Sequence, residues 1–264
     1  MSRSLKNVRS PSEPRSGGIS PVADTDEGCP SLSFDSGINS RHVNLGRAML
    51  IATVRSVHVG LAAPLGPQGV PSAFIKLATQ GAVHVHELGL AGDQQADLRV
   101  HGGPDKAVYG YATAHYDAWR RDFPEHAEIF VPGSVGENLA IDGLTEADIC
   151  VGDVHAIGTA LLQVCQPRQP CFKFALRFDD ERLPSAMVIN GRAGWYYRVL
   201  ETGDLSAGDS IELRDRQNPD FPFTRLVELI SRRNATREEL TRLADMTGLA
   251  SQLRERIRKT LRPS

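Results

Sequence analysis

Between residues 50 and 213 the apolar positions recur at strand lengths, and beyond residue 222 they recur at helical spacing. Residues 50–59, 72–79 and 82–88 alternate or run apolar between Gly and Pro breaks, which predicts strands. Residues 89–93 then read as a tight turn. Residues 112–123 predict a helix, with Tyr116 and Trp119 one turn apart, Arg120 and Arg121 near its end, and Pro124 as its stop. Further strands are predicted over 139–141, 155–157, 160–164, 195–200 and 208–213, with a short helix over 181–188 broken by Pro184.

Residues 214–222 are polar and read as a linker. Three helical segments follow. Phe223, Leu226, Val227 and Ile230 stand at i, i+3, i+4 and i+7 after Pro222. Thr236 and Glu239 form a capping box, Gly248 marks a stop, and Leu249, Leu253, Ile257 and Leu261 form a stripe at i, i+4. Residues 1–48 lack apolar periodicity and are rich in Ser, Arg, Pro, Gly and Asp, so a disordered leader is expected. Met49, immediately before the first convincing strand, is a candidate translation start. The expected organisation is a leader over 1–48, a β-rich domain over 49–213, a linker over 214–222 and a three-helix domain over 223–264. The fold class is mainly β with a small all-α domain, α+β overall.

Charge and cysteine usage narrow the function classes. A net charge of -2 argues against a dedicated nucleic-acid or membrane-surface protein. No apolar run approaches the roughly 20 residues that span a bilayer, and no secretory pattern opens the chain. The basic tail (Arg254, Arg256, Arg258, Lys259, Arg262) admits a helix-turn-helix reading, but it equally suits a solvated helix C-terminus. Cys29, Cys150, Cys165 and Cys171 are unevenly spread and contain no C-x-x-C, so neither a disulfide framework nor a zinc site is indicated; a reducing cytoplasm is expected.

The densest candidate chemistry runs from Val164 to Lys173. An apolar strand leads into Gln166-Pro167-Arg168-Gln169-Pro170-Cys171, where two prolines enforce a stiff turn that presents Arg168 and Cys171 together, with Lys173 just beyond. A cysteine between cations has its thiolate favoured, and the thiolate is both nucleophile and soft-metal ligand; a buried structural cysteine is the alternative. Upstream, His101-Gly102-Gly103 with Arg99 and Lys106 forms either an anion-binding loop or a simple glycine turn with a packed histidine. Asn138, in a glycine-flanked loop, suits either recognition of a heterocycle edge or an Asx turn. His84 and His86 share one strand face without a third ligand in view, as a solvated pair would. Tyr116, Trp119, Trp195 and Tyr196 fit core packing or a purine-sized pocket.

Taken together, three blocks resemble the MOSC domain family, and within it the YiiM-type proteins. They are Gly92-Asp93 through Ala96-Asp97 to His101-Gly102-Gly103-Pro104-Asp105-Lys106-Ala107, then Gly136-Glu137-Asn138-Leu139 with Asp142 to Glu146, then Gln166 to Cys171. The three-helix tail is also similar to the helical domain that follows MOSC in those chains. The leader and Cys165 lie outside the match. The resemblance implies a β-barrel-like fold binding a molybdopterin-type molybdenum cofactor, with Cys171 as catalytic thiolate and metal ligand. Asn138, Arg168, Lys173, His101, Gly102, Gly103, Lys106 and Glu137 are the expected cofactor-binding residues. It further implies reduction of N-hydroxylated compounds, such as hydroxylaminopurines, to amines. With no dinucleotide fingerprint and no iron–sulfur cysteine run, an external electron-transfer protein (a flavin or iron–sulfur reductase) is expected. A sulfur carrier acting through a Cys171 persulfide is the alternative.

Overall fold

The computed structural model describes residues 43–97, 102–232 and 235–262. Thirteen strands and six α-helices follow one another along these residues. The strands are β1 (Val43–Val59), β2 (Ala63–Leu65), β3 (Val70–Ser72), β4 (Leu77–Ala78), β5 (Val83–His86), β6 (Gly89–Leu90) and β7 (Val108–Ala112). Helix α1 (Ala114–Asp122) precedes β8 (Leu139–Asp142), β9 (Val154–Ile157) and β10 (Ala160–Pro167). Helices α2 (Phe172–Phe178) and α3 (Arg182–Asn190) precede β11 (Trp195–Glu201), β12 (Gly203–Leu205) and β13 (Ser210–Arg216). The chain ends in α4 (Phe223–Arg232), α5 (Arg237–Asp245) and α6 (Ser251–Leu261).

Seven strands close a barrel in the order β1-β13-β9-β10-β11-β7-β8, with β8 returning to β1. An odd number of strands cannot close with antiparallel pairs alone, and β7–β8 is the parallel pair. A parallel pair needs a crossover, and α1 lies in that connection. Along β1, Ala52 and Val54 point inward; a register shift between Val54 and Ser56 then re-phases the strand so that Val57 is buried. Strand β7 is buried on both faces and divides two cores. Val108 faces the barrel interior with Trp195, Tyr197 and Leu162, whereas Tyr109 and Tyr111 face Trp119, Phe130, Phe174 and Phe178. Gly110 is required between them: a Cβ there would meet Ile141, Trp195 and Tyr197 at 3.1 Å.

The mainly β barrel with a helical C-terminal region is the expected architecture, but its subdivision differs. The described residues from 43 onward form one compact unit. The interior surface is continuous from Ile149, Val151 and Cys165 of the barrel to Phe223, Leu226, Leu243, Leu249 and Leu253 of the helices. Nor are residues 214–222 a loose linker. Arg216 pairs with the buried Asp153, and the Asn218 amide donates to the carbonyls of Val151 and Thr247. Gly248 sits so close to Gly152 that a Cβ would penetrate the opposite backbone. The strand expected from residue 50 begins at Val43, because Val43 and Asn44 pair with Arg216 and Asp215 of β13, beyond a register shift between Asn44 and Met49. A chain started at Met49 would lose that pairing. The remainder of the expected leader, residues 1–42, lies outside the described residues.

Two proline expectations also change. Pro167 ends β10 rather than excluding itself from the ladder, opposite Trp195 at the strand terminus, where a missing N–H is tolerated. Pro184 lies in the first turn of α3, whose amides have no intrahelical acceptor, so the helix runs unbroken to Asn190. The capping box is formed as expected, with Thr236 and Glu239 each accepting the other's backbone N–H. The basic tail is largely spent locally. Arg254 donates to the carbonyls of Ala244, Met246 and Leu249, closing the C-terminal end of α5. No helix among the described residues is long and apolar enough to cross a membrane.

Candidate active site

The β10–α2 connection carries the chemistry. Pro167 ends the strand, Arg168-Gln169-Pro170 turn the chain, and Cys171 stands as the extended N-cap residue of α2 (φ −127°). Lys173 follows in the first turn of the helix, nearly buried, and donates to the carbonyl of Pro71 at 2.9 Å. Cys171 is half-buried and lies on the wall of an open cleft. Arg168, Lys173, Lys106 and Lys76 are on the walls of that cleft, with Asn138, Asp93, Tyr109, Tyr196 and Phe74.

Arg168 is the most heavily constrained of these. Its guanidinium is held between the Phe74 and Tyr109 rings, 5.0 and 4.9 Å from their centroids, and donates to the Val135 carbonyl and the Tyr109 hydroxyl. It is 7% exposed, and no carboxylate among the described residues pairs with it. Burial opposes its charge, but Tyr109, Tyr196 and Cys171 outweigh that and raise its pKa. Lys76 is equally buried and pairs with Asp93, whose other oxygen accepts from the Asn138 amide. Burial lowers the Lys76 pKa, against the opposing pull of Asp93 and Glu137. Burial, then the charge of Arg256, lowers that of Lys106. Behind Lys76, burial and the lysine's own charge pull His58 down to about 4.

The expected site residues separate into three groups. Cys171, Arg168, Lys173, Lys106 and Asn138 come together in the cleft. Asn138 is nevertheless committed to the fold: its amide donates to the His58 carbonyl and Asp93, and its Oδ1 accepts from the Tyr109 amide. Glu137 is not on the cleft surface. It is fully buried and accepts from Tyr116 Oη and the amides of Gly133 and Val135. Its side chain is held in the aromatic core by these three donors, in the loop that leads into β8, while its neighbour Asn138 reaches the cleft. Gly102 and Gly103 precede a short 3-10 turn, Pro104–Lys106, and do not line the cleft. His101 and Arg99 lie outside the described residues.

Several cleft residues carried no signal in the chain. Lys76, Phe74 and Tyr109 arrive from other elements, whereas Asp93 belonged to a motif block without a role of its own and Tyr196 fitted core packing as well as a pocket. Tyr116, Trp119 and Trp195 are core residues. Cys165 is fully buried, its thiol donating to the Asp105 and Tyr196 carbonyls, and burial pushes its pKa up. His84 and His86 are exposed on β5, with His84 beside Asp204.

Residues 97–212 match the model of the MOSC domain. Over 150 residues the chain is 47% identical to Protein YiiM of Escherichia coli, covering 57% of this chain and 67% of that one. This chain is a YiiM-type member of the MOSC domain family. The chain also superposes on the crystal structure of YiiM from Geobacillus stearothermophilus with a TM-score of 0.68 at 29% identity, covering 80% of this chain and all of that one. A protein named Reductase from Gibberella moniliformis is 36% identical over 181 residues, which is 68% of this chain but 32% of that protein.

Proposed function

We propose that this MOSC protein is a molybdenum-cofactor-dependent reductase that converts N-hydroxylated compounds, hydroxylaminopurines among them, to amines. The observation that carries the reading is Arg168, a buried guanidinium without a carboxylate partner among the described residues, facing a half-buried cysteine. A charge kept out of water in this way calls for a counter-ion. A pterin dithiolene with a phosphate is an anion of suitable kind, and its metal takes a soft thiolate ligand.

The residues present fit that group. Cys171 would ligate the metal. Arg168, Lys173 and Lys106 would neutralise the negative charge around it, while the Lys76–Asp93–Asn138 network holds the wall between β1, β7 and β8. The Phe74, Tyr109 and Tyr196 rings supply flat apolar surface and exclude water from the sulfur's surroundings. When bound, the cofactor supplies two-electron redox chemistry that no side chain has. Electrons would come from an external flavin or iron–sulfur protein. The reductase name of the Gibberella relative supports an oxidoreductase role.

The test is metal analysis of gently purified protein beside Cys171→Ser, followed by hydroxylaminopurine reduction with a chemical electron donor. Near-stoichiometric molybdenum in the wild type, lost with turnover in the folded variant, is expected. A wild type without molybdenum from a cofactor-making host, carrying persulfide sulfur on Cys171, would refute the reductase and point to sulfur transfer.

A further inference from the structure

His84-Val85-His86 on β5 takes no part in the cleft. Strand alternation buries Val83 and Val85 in the interior cluster and turns both imidazoles to the surface. The two rings already lie side by side, their centroids 4.7 Å apart. The chain by itself showed no third group beside them. Strand β12 supplies one: Asp204 pairs with His84 in the sheet, and its Oδ1 lies 2.8 Å from His84 Nδ1.

A carboxylate can only accept, so in the neutral ring Nδ1 carries the proton and Nε2 keeps its lone pair. An outer carboxylate placed in this way fixes the tautomer of a metal-binding histidine and makes it a stronger donor. Asp204 is itself held in place. Its N–H donates to Thr159 Oγ1 at 2.7 Å, and its carbonyl accepts from the Thr159 N–H at 2.9 Å. The groups therefore stand on two paired strands rather than on a loop. Two imidazole nitrogens on one ion lie about 3 Å apart, and rotation of the exposed His86 ring reaches that separation from its present contact with His84. By contrast, Glu125, His126 and Asp180 gather their ligand atoms within 4.8 Å but already hold a cation, since Arg182 donates to both carboxylates.

We propose that His84 and His86 form a two-imidazole surface site for a late first-row divalent ion such as Ni2+ or Cu2+. Asp204 orients His84 from outside the coordination shell, and water fills the remaining positions. Nitrogen donors with open positions suit these ions, whereas Mg2+ and Ca2+ take oxygen ligands. The site is independent of the reductase reading. It lies on the three-stranded β12-β5-β6 sheet and shares no residue with the cleft.

Calorimetric titration of the full chain with NiCl2 tests this, after accessible thiols have been carbamidomethylated so that Cys171 does not compete for the ion. A saturable site should be present in the wild type and missing from both His84→Ala and His86→Ala, because one exposed imidazole gives no chelate. Asp204→Asn should weaken binding about tenfold without removing it, and MgCl2 should give no binding heat. All three positions are exposed, so the variants should keep the fold, which an unchanged urea midpoint without metal verifies. A Ni2+ site that survives intact in either histidine variant would overturn the proposal, since it would then rest elsewhere or on one ring. Wild-type affinity in Asp204→Asn would overturn the orienting role. With CuCl2, the electron paramagnetic resonance spectrum of the same thiol-blocked protein should show splitting by two nitrogens, reduced in either histidine variant. A wild-type spectrum without nitrogen splitting would also overturn the site.

Discussion

Replacing Glu137 separates scaffold from site. Its carboxylate is fully buried and takes three donors: Oε1 accepts from Tyr116 and Gly133, Oε2 from Val135 at 3.2 Å. In Glu137→Gln the amide oxygen can keep the Oε1 position and two donors, but its NH2 then faces the Val135 amide. One orphaned buried donor costs about 1–3 kcal/mol. In Glu137→Ala all three donors are orphaned and a void is left. Relief of carboxylate desolvation offsets part of that, giving a loss of about 3–6 kcal/mol. Urea unfolding followed by fluorescence suits the measurement, since Trp119 and Trp195 are both fully buried. The Val135 carbonyl receives Arg168, so the loosened loop should weaken cofactor retention only in proportion to lost stability. An alanine variant within about 1 kcal/mol of wild type that loses molybdenum would refute this and put Glu137 among the cofactor's contacts.

Other expectations follow from single features. Cys171→Ser should abolish turnover with the fold intact, whereas Cys165→Ser should keep full activity and lose at most about 1 kcal/mol, read by assay and denaturation; loss of activity at Cys165 would upset the single-cysteine assignment. In thiol labelling of the folded protein, Cys171 should react first among the described cysteines, since burial raises Cys165 and pushes Cys150 up to about 11; rapid labelling of Cys165 would contradict its burial. Gly248→Ala adds a Cβ against Gly152 at a φ of +83°, so left-handed strain and overpacking together should cost about 2–4 kcal/mol, and a loss below about 0.5 kcal/mol would contradict the close docking of helices on barrel. His58 and His155 are buried with pKa values lowered to about 4 and about 3, chiefly by burial. The unfolded chain binds their protons below about 6.5 and the folded chain does not, so their stabilisation is full above that pH and is lost as pH falls toward 4 and 3. Between pH 7 and 5 the pair should account for about 3–4 kcal/mol of lost stability, largely abolished in a His58→Gln, His155→Gln protein; an unchanged pH dependence in that protein would refute the assignment.

Local terms were legible in the chain because they depend on residues within a turn or a strand of one another. The capping box of Thr236 and Glu239, the stripe from Leu249 to Leu261, and the proline-stiffened presentation of Arg168, Cys171 and Lys173 are all contiguous patterns. The motif blocks from Gly92 to Cys171 carried the family as well. Tertiary structure decided the rest. Barrel closure brings Lys76 to the same cleft as Cys171, although nothing near Lys76 in the chain marks it as a site. In the loop before β8, Asn138 goes to the cleft and Glu137 to the core, where Tyr116, Gly133 and Val135 donate to it, a difference of facing that a shared motif does not express. Likewise, a polar stretch after β13 resembles a linker until Arg216 and Asn218 find buried partners and Gly248 meets Gly152. Periodicity says which face of an element is apolar; only the packed chain says what that face meets.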